Sequence, residues 1–162
     1  MNKQKMNKTS NKIYRAGAIG ALMDEYERAV LEIKNVVNDV GENDFVKIFD
    51  AQTEDEDCRS VQTIISHVVS SCFGYADSIR EVFSMAAQPI EQKQLSKREA
   101  VGRLDAAMKY TAETLDGKWR MTDAEITATR MKGEYVENLE QLLEHAIVHV
   151  LRHRRQIEKF LA

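Results

Sequence analysis

Three of the four histidines in this 162-residue chain lie within nine residues near its C-terminus. They are His145, His149 and His153, each four positions after the one before. Residues four apart lie one turn apart on the same face of an α-helix, so two imidazoles at this spacing can bind one metal ion. The outer two are about 12 Å apart along the helix axis, which is too far to share an ion easily. A third ligand must therefore come from another part of the chain.

The fourth histidine, His67, lies on a separate predicted helix, about 160° from the apolar stripe of that helix. It shares its face with small and polar residues. These residues are Ser60, Thr63, Ser70, Ser71, Gly74 and Ser78. One interpretation is a solvated, serine-rich surface with one stray histidine. The other is that His67 joins the C-terminal pair, because three neutral imidazoles around a divalent ion leave a position open, as in catalytic metal sites.

On the last predicted helix, the three clustered histidines lie at different angles from the apolar stripe. With the apolar stripe centred on Leu139 and Ile157, His153 lies about 40° from the centre, His149 about 80° and His145 about 120°. The three side chains therefore move progressively from inside the stripe to its flank. His149 and His153 are the pair that can bind one ion together.

Other residues near the histidines have open or structural interpretations. Gln156 is on the histidine side of the last helix, where it either contacts the site or remains on the surface. Arg154 is at the opposite margin of the stripe, and we expect an ion pair with Glu144 or with an acid of the first helix. Cys72 falls in an apolar stripe and is expected in the core. Cys58 follows an acidic run that opposes a reactive thiolate, so it is assigned no role.

Four long segments with helical periodicity must position these residues. Apolar residues recur every three or four positions over 13–40, from the acidic run at 54–57 to about 87, over 96–115 and over 135–160. One proline and seven glycines are few for a fold of many short strands. The sequence therefore predicts an all-α four-helix bundle, with longer connections between helices 1 and 2 and between helices 3 and 4.

Local signals refine these boundaries. The residues at 96–99 and at 122–125 have the spacing of capping boxes at helix starts. The acidic run at 54–57 suits the positive end of a helix dipole, so the second helix is predicted to begin there. In the first long connection, Phe45, Ile48 and Phe49 are expected to pack back onto the bundle.

The composition limits the class of protein. The chain is long enough for one domain with a core that needs no disulfides, and its formal charge of −3 gives no field that attracts nucleic acid. Residues 1–12 carry four lysines and no acid, and we expect a flexible basic N-terminus there, followed by a single domain at 13–162. The chain has no apolar run of the kind found in a signal peptide or a membrane-spanning helix. A cytoplasmic protein without nucleic-acid or membrane partners is expected.

Two segments resemble the motifs of the DinB/YfiT-like superfamily of metal-binding four-helix bundles. Residues 144–156, EHAIVHVLRHRRQ, resemble the HxxxHRxQ signature of that family. Residues 60–69, SVQTIISHVV, resemble the helix-two segment that carries the remaining family histidine. Arg155 stands where the family often has glycine. With the helix order, the resemblance covers the chain from about residue 13 onward.

By position, the resemblance implies that the metal ligands are His67, His149 and His153. It also implies a divalent transition metal, commonly zinc or nickel, and often a homodimer. Three further residues are expected beside the site without binding the ion, namely His145, Gln156 and Glu144. Relatives in this superfamily include bacillithiol- and mycothiol-dependent enzymes and metal-dependent hydrolases.

These expectations favour a metal-dependent enzyme of the thiol S-transferase type, with a small-molecule substrate such as a low-molecular-weight thiol. A hydrolase is a close variant, and in neither case does the sequence identify the catalytic residues. The alternative is a non-catalytic metal-binding or interaction bundle, in which the ion fastens helix two to helix four. A bundle that holds no metal is a third interpretation.

Overall fold

A computed structural model describes residues 13–88, 91, 93–133 and 136–162. Its helices, in chain order, are α1 (Gly17–Asp39), α2 (Glu42–Val46), α3 (Val61–Val82), α4 (Lys97–Leu115), α5 (Asp123–Ala128) and α6 (Leu139–Leu161). A short 3-10 turn covers Glu56–Cys58. The described residues contain no strand, so the all-α fold class predicted from the sequence is confirmed. The predicted basic N-terminus and the predicted start of the last helix at 135 lie outside the described residues.

The four long helices form a ring in which chain neighbours are not always spatial neighbours. Helix α1 packs against α6 and α4, and α3 packs against the same two helices. Helices α1 and α3 therefore lie across the bundle from each other, as do α4 and α6. The two long connections, residues 40–60 and 116–138, make these diagonal crossings, whereas the shorter connection at 83–96 joins adjacent helices. The longer connections predicted from the sequence are present, and the diagonal crossings account for them.

The apolar stripes of the four helices meet in one core. Cys72 is completely buried there, as predicted. Fully buried residues from each long helix include Ile33, Ile65, Leu104 and Leu139. Burial of such a side chain contributes about 1.5–3 kcal/mol, and this core holds α3 firmly against α6. Among the described helices, none combines the length and the apolar character needed to cross a bilayer.

Helix α3 does not begin in the acidic run, contrary to the prediction. It begins after Ser60, whose hydroxyl accepts a hydrogen bond from the backbone N–H of Thr63 at 3.0 Å, while the Thr63 hydroxyl accepts from the Ser60 N–H at 3.0 Å. In the acidic run, the Asp55 carboxylate accepts from the backbone N–H of Asp57 at 3.0 Å. Such side-chain bonds to nearby backbone compete with helix formation. The run therefore forms turns at the N-terminus of α3, and α3 ends at Val82, before the predicted end at 87.

The connections follow most of their sequence signals. Both predicted capping boxes, at 96–99 and 122–125, are present. Phe45 is buried, and the ring of Phe49 stacks on Phe160 with centroids 5.0 Å apart. Ile48, however, is 53% exposed, so the expectation that it packs onto the bundle is wrong.

Candidate metal centre

Three histidine side chains from two helices direct their Nε2 atoms at one another. The Nε2 of His67 is 3.1 Å from that of His149, which is 3.2 Å from the Nε2 of His153. All three ligand atoms lie within 4.8 Å of one another. Nitrogen ligands about 2.1 Å from one divalent ion are separated by roughly 3.0–3.4 Å. The group therefore has the spacing of three ligands to a single divalent metal ion.

The packing of α3 on α6 creates this arrangement. His149 and His153 lie one turn apart on α6, and His67 projects from α3, which packs directly on α6. His149 is 8% exposed and His153 is 7% exposed, whereas the side chain of His67 is 32% exposed. The centre is therefore buried among the helices and most open on the side of His67.

Side-chain oxygens on the far side of two imidazoles favour lone pairs that point into the centre. The Nδ1 of His67 lies 3.2 Å from the Asp57 carboxylate, and the Nδ1 of His153 donates to the Gln156 side-chain oxygen at 3.1 Å. In a neutral imidazole, a proton on Nδ1 leaves a lone pair on Nε2. A carboxylate or amide oxygen behind a histidine also fixes its ring and raises its basicity as a ligand.

The central imidazole, that of His149, is held in its neutral form. Burial lowers the pKa of His149 to about 3, and the neighbouring His153 and His67 add to the shift. Burial also lowers the pKa of His153, an effect that the hydrogen bond to Gln156 opposes. Metal ligands must be neutral imidazoles, and these two residues meet that requirement.

Without a cation, the lone pairs in the centre cannot all be satisfied. The Nδ1 of His149 is buried and has no hydrogen-bond partner among the described residues. The Nε2 lone pairs of His67 and His153 both face the Nε2 of His149. If that atom carries a proton, it can donate a hydrogen bond to only one of them. A divalent cation satisfies all three lone pairs at once, so the donor set fits a metal ion.

Tyr75 and His145 flank the centre without joining the ligand group. The ring of Tyr75 lies edge-on to His149, with centroids 5.8 Å apart, and is tilted against His145 at 5.5 Å. The Nδ1 of His145 is 3.0 Å from the Glu137 carboxylate. Burial raises the pKa of Tyr75 to about 12, so its phenol is neutral at physiological pH. His145 is thus separated from the three clustered imidazoles by position and is in contact with Tyr75.

The remaining predicted residues divide between the site and the surface. Gln156 contacts His153, as described above. Glu144 is exposed, and its carboxylate has no hydrogen bond or ion pair with the described residues. Arg154 forms ion pairs with Glu32 of α1 and, at 3.5 Å, with Glu158. Of the two partners expected for Arg154, the acid of the first helix is therefore correct and Glu144 is wrong.

Sequence reasoning did not identify Asp57 or Tyr75 as neighbours of the site. Tyr75 had a usable signal, because it lies two helical turns after His67 on the same face of α3. Asp57 had none, since its position depends on how the acidic turns fold. Cys58 adjoins Asp57 in the chain, and its thiol donates a hydrogen bond to the Asp55 carboxylate at 3.3 Å. Burial raises the pKa of the Cys58 thiol, which keeps it protonated.

Comparison with known proteins identifies the family. No curated protein and no solved structure matches the chain. The model of the DinB family matches residues 10–161, a range that includes the four helices of the ring and all four histidines. The match agrees with the all-α architecture and with a three-histidine group that could bind a divalent metal. The chain therefore belongs to the DinB family.

Proposed function

We propose that this protein is a metal-dependent enzyme of the thiol S-transferase type, with His67, His149 and His153 as the metal ligands. The observation that supports it most strongly is the convergence of three Nε2 lone pairs in a centre that is partly open to solvent. A zinc or nickel ion bound there would supply Lewis-acid chemistry, lowering the pKa of a thiol or a water that occupies its open position.

The surrounding residues have distinct tasks in this proposal. Asp57 and Gln156 hold the Nδ1 protons of His67 and His153, which keeps both rings in the ligating tautomer. Tyr75 presents a neutral phenol beside His149 and is placed to donate a hydrogen bond to a bound substrate. Substrate sulfur is the nucleophile, so no protein cysteine takes part. A low-molecular-weight thiol as substrate, a homodimer and a cytoplasmic location belong to the same proposal.

A hydrolytic variant uses the same ligands and requires a residue that accepts a proton. His145 is placed for this task, because Glu137 accepts the proton of its Nδ1 and leaves a lone pair on Nε2. Its ring contacts Tyr75, which in turn packs against His149. Metal-dependent turnover of activated esters, lost in the His145→Ala protein, would favour this variant over thiol transfer.

The proposal is tested by following metal-dependent conjugation of 1-chloro-2,4-dinitrobenzene with a panel of bacterial thiols. We expect conjugation by zinc- or nickel-loaded protein, its loss on chelation and its loss in the His149→Ala protein. The Arg155→Ala protein is the matched control, since Arg155 is an exposed residue of the same helix. Conjugation that survives both chelation and His149→Ala would refute the mechanism.

The second candidate, a non-catalytic metal-binding bundle, is favoured by one observation. The three imidazoles join α3 to α6, so an ion held by them would fasten the two helices together. Metal that raises the unfolding temperature, with no turnover of any thiol or ester, would support this structural function instead.

A further inference from the structure

A cleft of about 520 Å³ shares His67 with the metal centre. It follows the serine-rich face of α3, and its other side is lined by Glu91, Lys93, Gln94, Leu95 and Arg103 of α4. Its volume falls in the range of small-molecule sites, roughly 300–1,000 Å³. A Cβ added at Gly74 would have no atom within 4 Å, so no side chain fills the space above this residue. A small molecule can therefore lie in the cleft with one end at His67.

Three carboxylates line this cleft, those of Glu56, Asp57 and Glu91. Asp57 is 3.2 Å from His67, and Glu56 is 3.3 Å from Arg59. An anion that enters the cleft therefore needs a cation of the lining that no carboxylate already neutralises.

Arg103 provides such a cation. Lys93 also lines the cleft but is 3.4 Å from Glu99, whereas Arg103 has no carboxylate within 4 Å among the described residues. Its Nε is buried and without a hydrogen-bond partner in the same part of the chain. Leaving a buried N–H of a charged group unpaired is costly, and an incoming acceptor would relieve that cost.

The Arg103 guanidinium packs against an aromatic ring. Its central carbon is 5.3 Å from the ring centroid of Phe73, at the distance of a cation–π contact. Phe73 and Arg103 both line a smaller depression of about 310 Å³, and Arg103 borders another of about 350 Å³, but neither is lined by His67. The cleft described above is the one that connects this cation with the metal centre.

We infer that Arg103 binds a carboxylate of the small-molecule substrate whose reactive group reaches the metal centre at His67. The planar guanidinium matches a carboxylate with two parallel hydrogen bonds, which a lysine cannot do. The substrate class is therefore a small thiol that also carries a carboxylate, spaced so that the two groups reach His67 and Arg103 together. This inference rests on the proposed thiol chemistry for its reactive end, whereas carboxylate binding at Arg103 can be tested without the metal.

The first experiment measures carboxylate binding to the metal-free protein by NMR. Adipate is titrated while the side-chain Nε resonance of Arg103 is followed, with 1,6-hexanediol as the uncharged comparison. We expect a saturable shift with adipate and no shift with the diol. Adipate should bind more weakly to the Arg103→Lys protein. In the Arg103→Gln protein, backbone amide shifts along the cleft should show no adipate binding. Arg98→Gln is the matched control, since Arg98 is exposed on the same helix and does not line the cleft. No saturable shift, or equal binding in Arg103→Gln, would overturn the inference.

The second experiment connects the carboxylate to the metal. Cobalt(II)-loaded protein is titrated with ω-mercaptocarboxylates of increasing chain length and with the matching ω-mercaptoalcohols, and thiolate binding is read from the sulfur-to-cobalt absorption. We expect the acids to bind about tenfold more tightly than the alcohols at the best chain length, and this advantage to disappear in Arg103→Gln.

The two experiments separate the two claims. Equal binding of acids and alcohols in the unmodified protein would overturn the carboxylate inference and leave the thiol chemistry intact. Adipate binding without a thiolate absorption from any compound would support the carboxylate site and refute the thiol chemistry.

Discussion

Replacing Asp57 with asparagine tests whether the carboxylate behind His67 supports metal binding. The carboxylate is 3.2 Å from the Nδ1 of His67 and lies on a turn outside the core, with 60% of its side chain exposed. Asparagine retains an acceptor oxygen but removes the charge. We therefore expect weaker metal binding with little change in the stability of the metal-free protein.

The size of the effect follows from electrostatics and from the orientation of the ring. The imidazole and one metal bond place the carboxylate oxygen about 7 Å from the ion, where its attraction to a double charge is about 1.2 kcal/mol even in bulk water. Loss of ring orientation adds to this value. Replacing residues that support a metal ligand in this way costs roughly 10–100-fold in affinity, or about 1.4–2.7 kcal/mol. Because Asp57 is well exposed, we expect Asp57→Asn to weaken zinc binding about tenfold.

The assay is a competition titration of zinc between the protein and a chromophoric chelator at neutral pH. Glu56→Gln is the matched control, because it removes a carboxylate from the adjacent position, where Glu56 faces Arg59 and is 83% exposed. We expect this control to bind zinc within about twofold of the unmodified protein. Equal affinities for Asp57→Asn and the unmodified protein, or an equal loss in Glu56→Gln, would refute the reasoning.

Three further predictions concern the ligand set and the bundle. His145→Ala should keep one equivalent of zinc by elemental analysis, because His145 lies outside the ligand group; loss of the metal would contradict this assignment. Arg154→Ala should lower the free energy of unfolding in urea by about 0.5–1 kcal/mol, because it breaks a partly exposed ion pair with α1. An equal loss in the Arg155→Ala protein, which changes an exposed arginine of the same helix, would contradict this explanation. Hydrogen bonds from Ser96 lower the pKa of Glu99 to about 2, so the stability contributed by that carboxylate is present above its unfolded pKa of 4.5 and is lost as the pH falls through about 2. Ser96→Ala removes the hydroxyl that bonds to Glu99 but keeps the backbone N–H, so it should lower stability at pH 7 and flatten part of the loss of stability between pH 5 and pH 2. An unchanged pH dependence of the free energy of unfolding in urea would argue against this capping box as its source.

The helical part of the structure was predictable because its signals are local. Periodicity identified the stripes of the long helices, and four-residue spacing singled out His149 and His153 on one side of α6. The capping boxes at 96–99 and 122–125 also depend only on residues three apart. Burial of these stripes explains why the helices formed in the predicted segments.

The rest depends on how distant segments meet, which local spacing does not encode. The acidic run at 54–57 has the composition of a helix start, yet bonds such as that from Asp57 N–H to Asp55 fold it into turns. That folding alone places Asp57 behind His67. The diagonal arrangement of α1 and α3 was likewise outside the reach of periodicity, because every long helix has a suitable apolar face. Arg103 gave no signal at all, since an unpaired arginine is recognised only when its surroundings are known.

The central claim is that one divalent ion is held by the Nε2 atoms of His67, His149 and His153. The most direct test is a crystal structure of tag-free protein loaded with zinc, with anomalous data collected on both sides of the zinc absorption edge. We expect one anomalous peak about 2.0–2.1 Å from all three Nε2 atoms, with Asp57 and Gln156 still beside the Nδ1 atoms of His67 and His153. A peak at another site, or an ion bound by fewer than these three imidazoles, would contradict it.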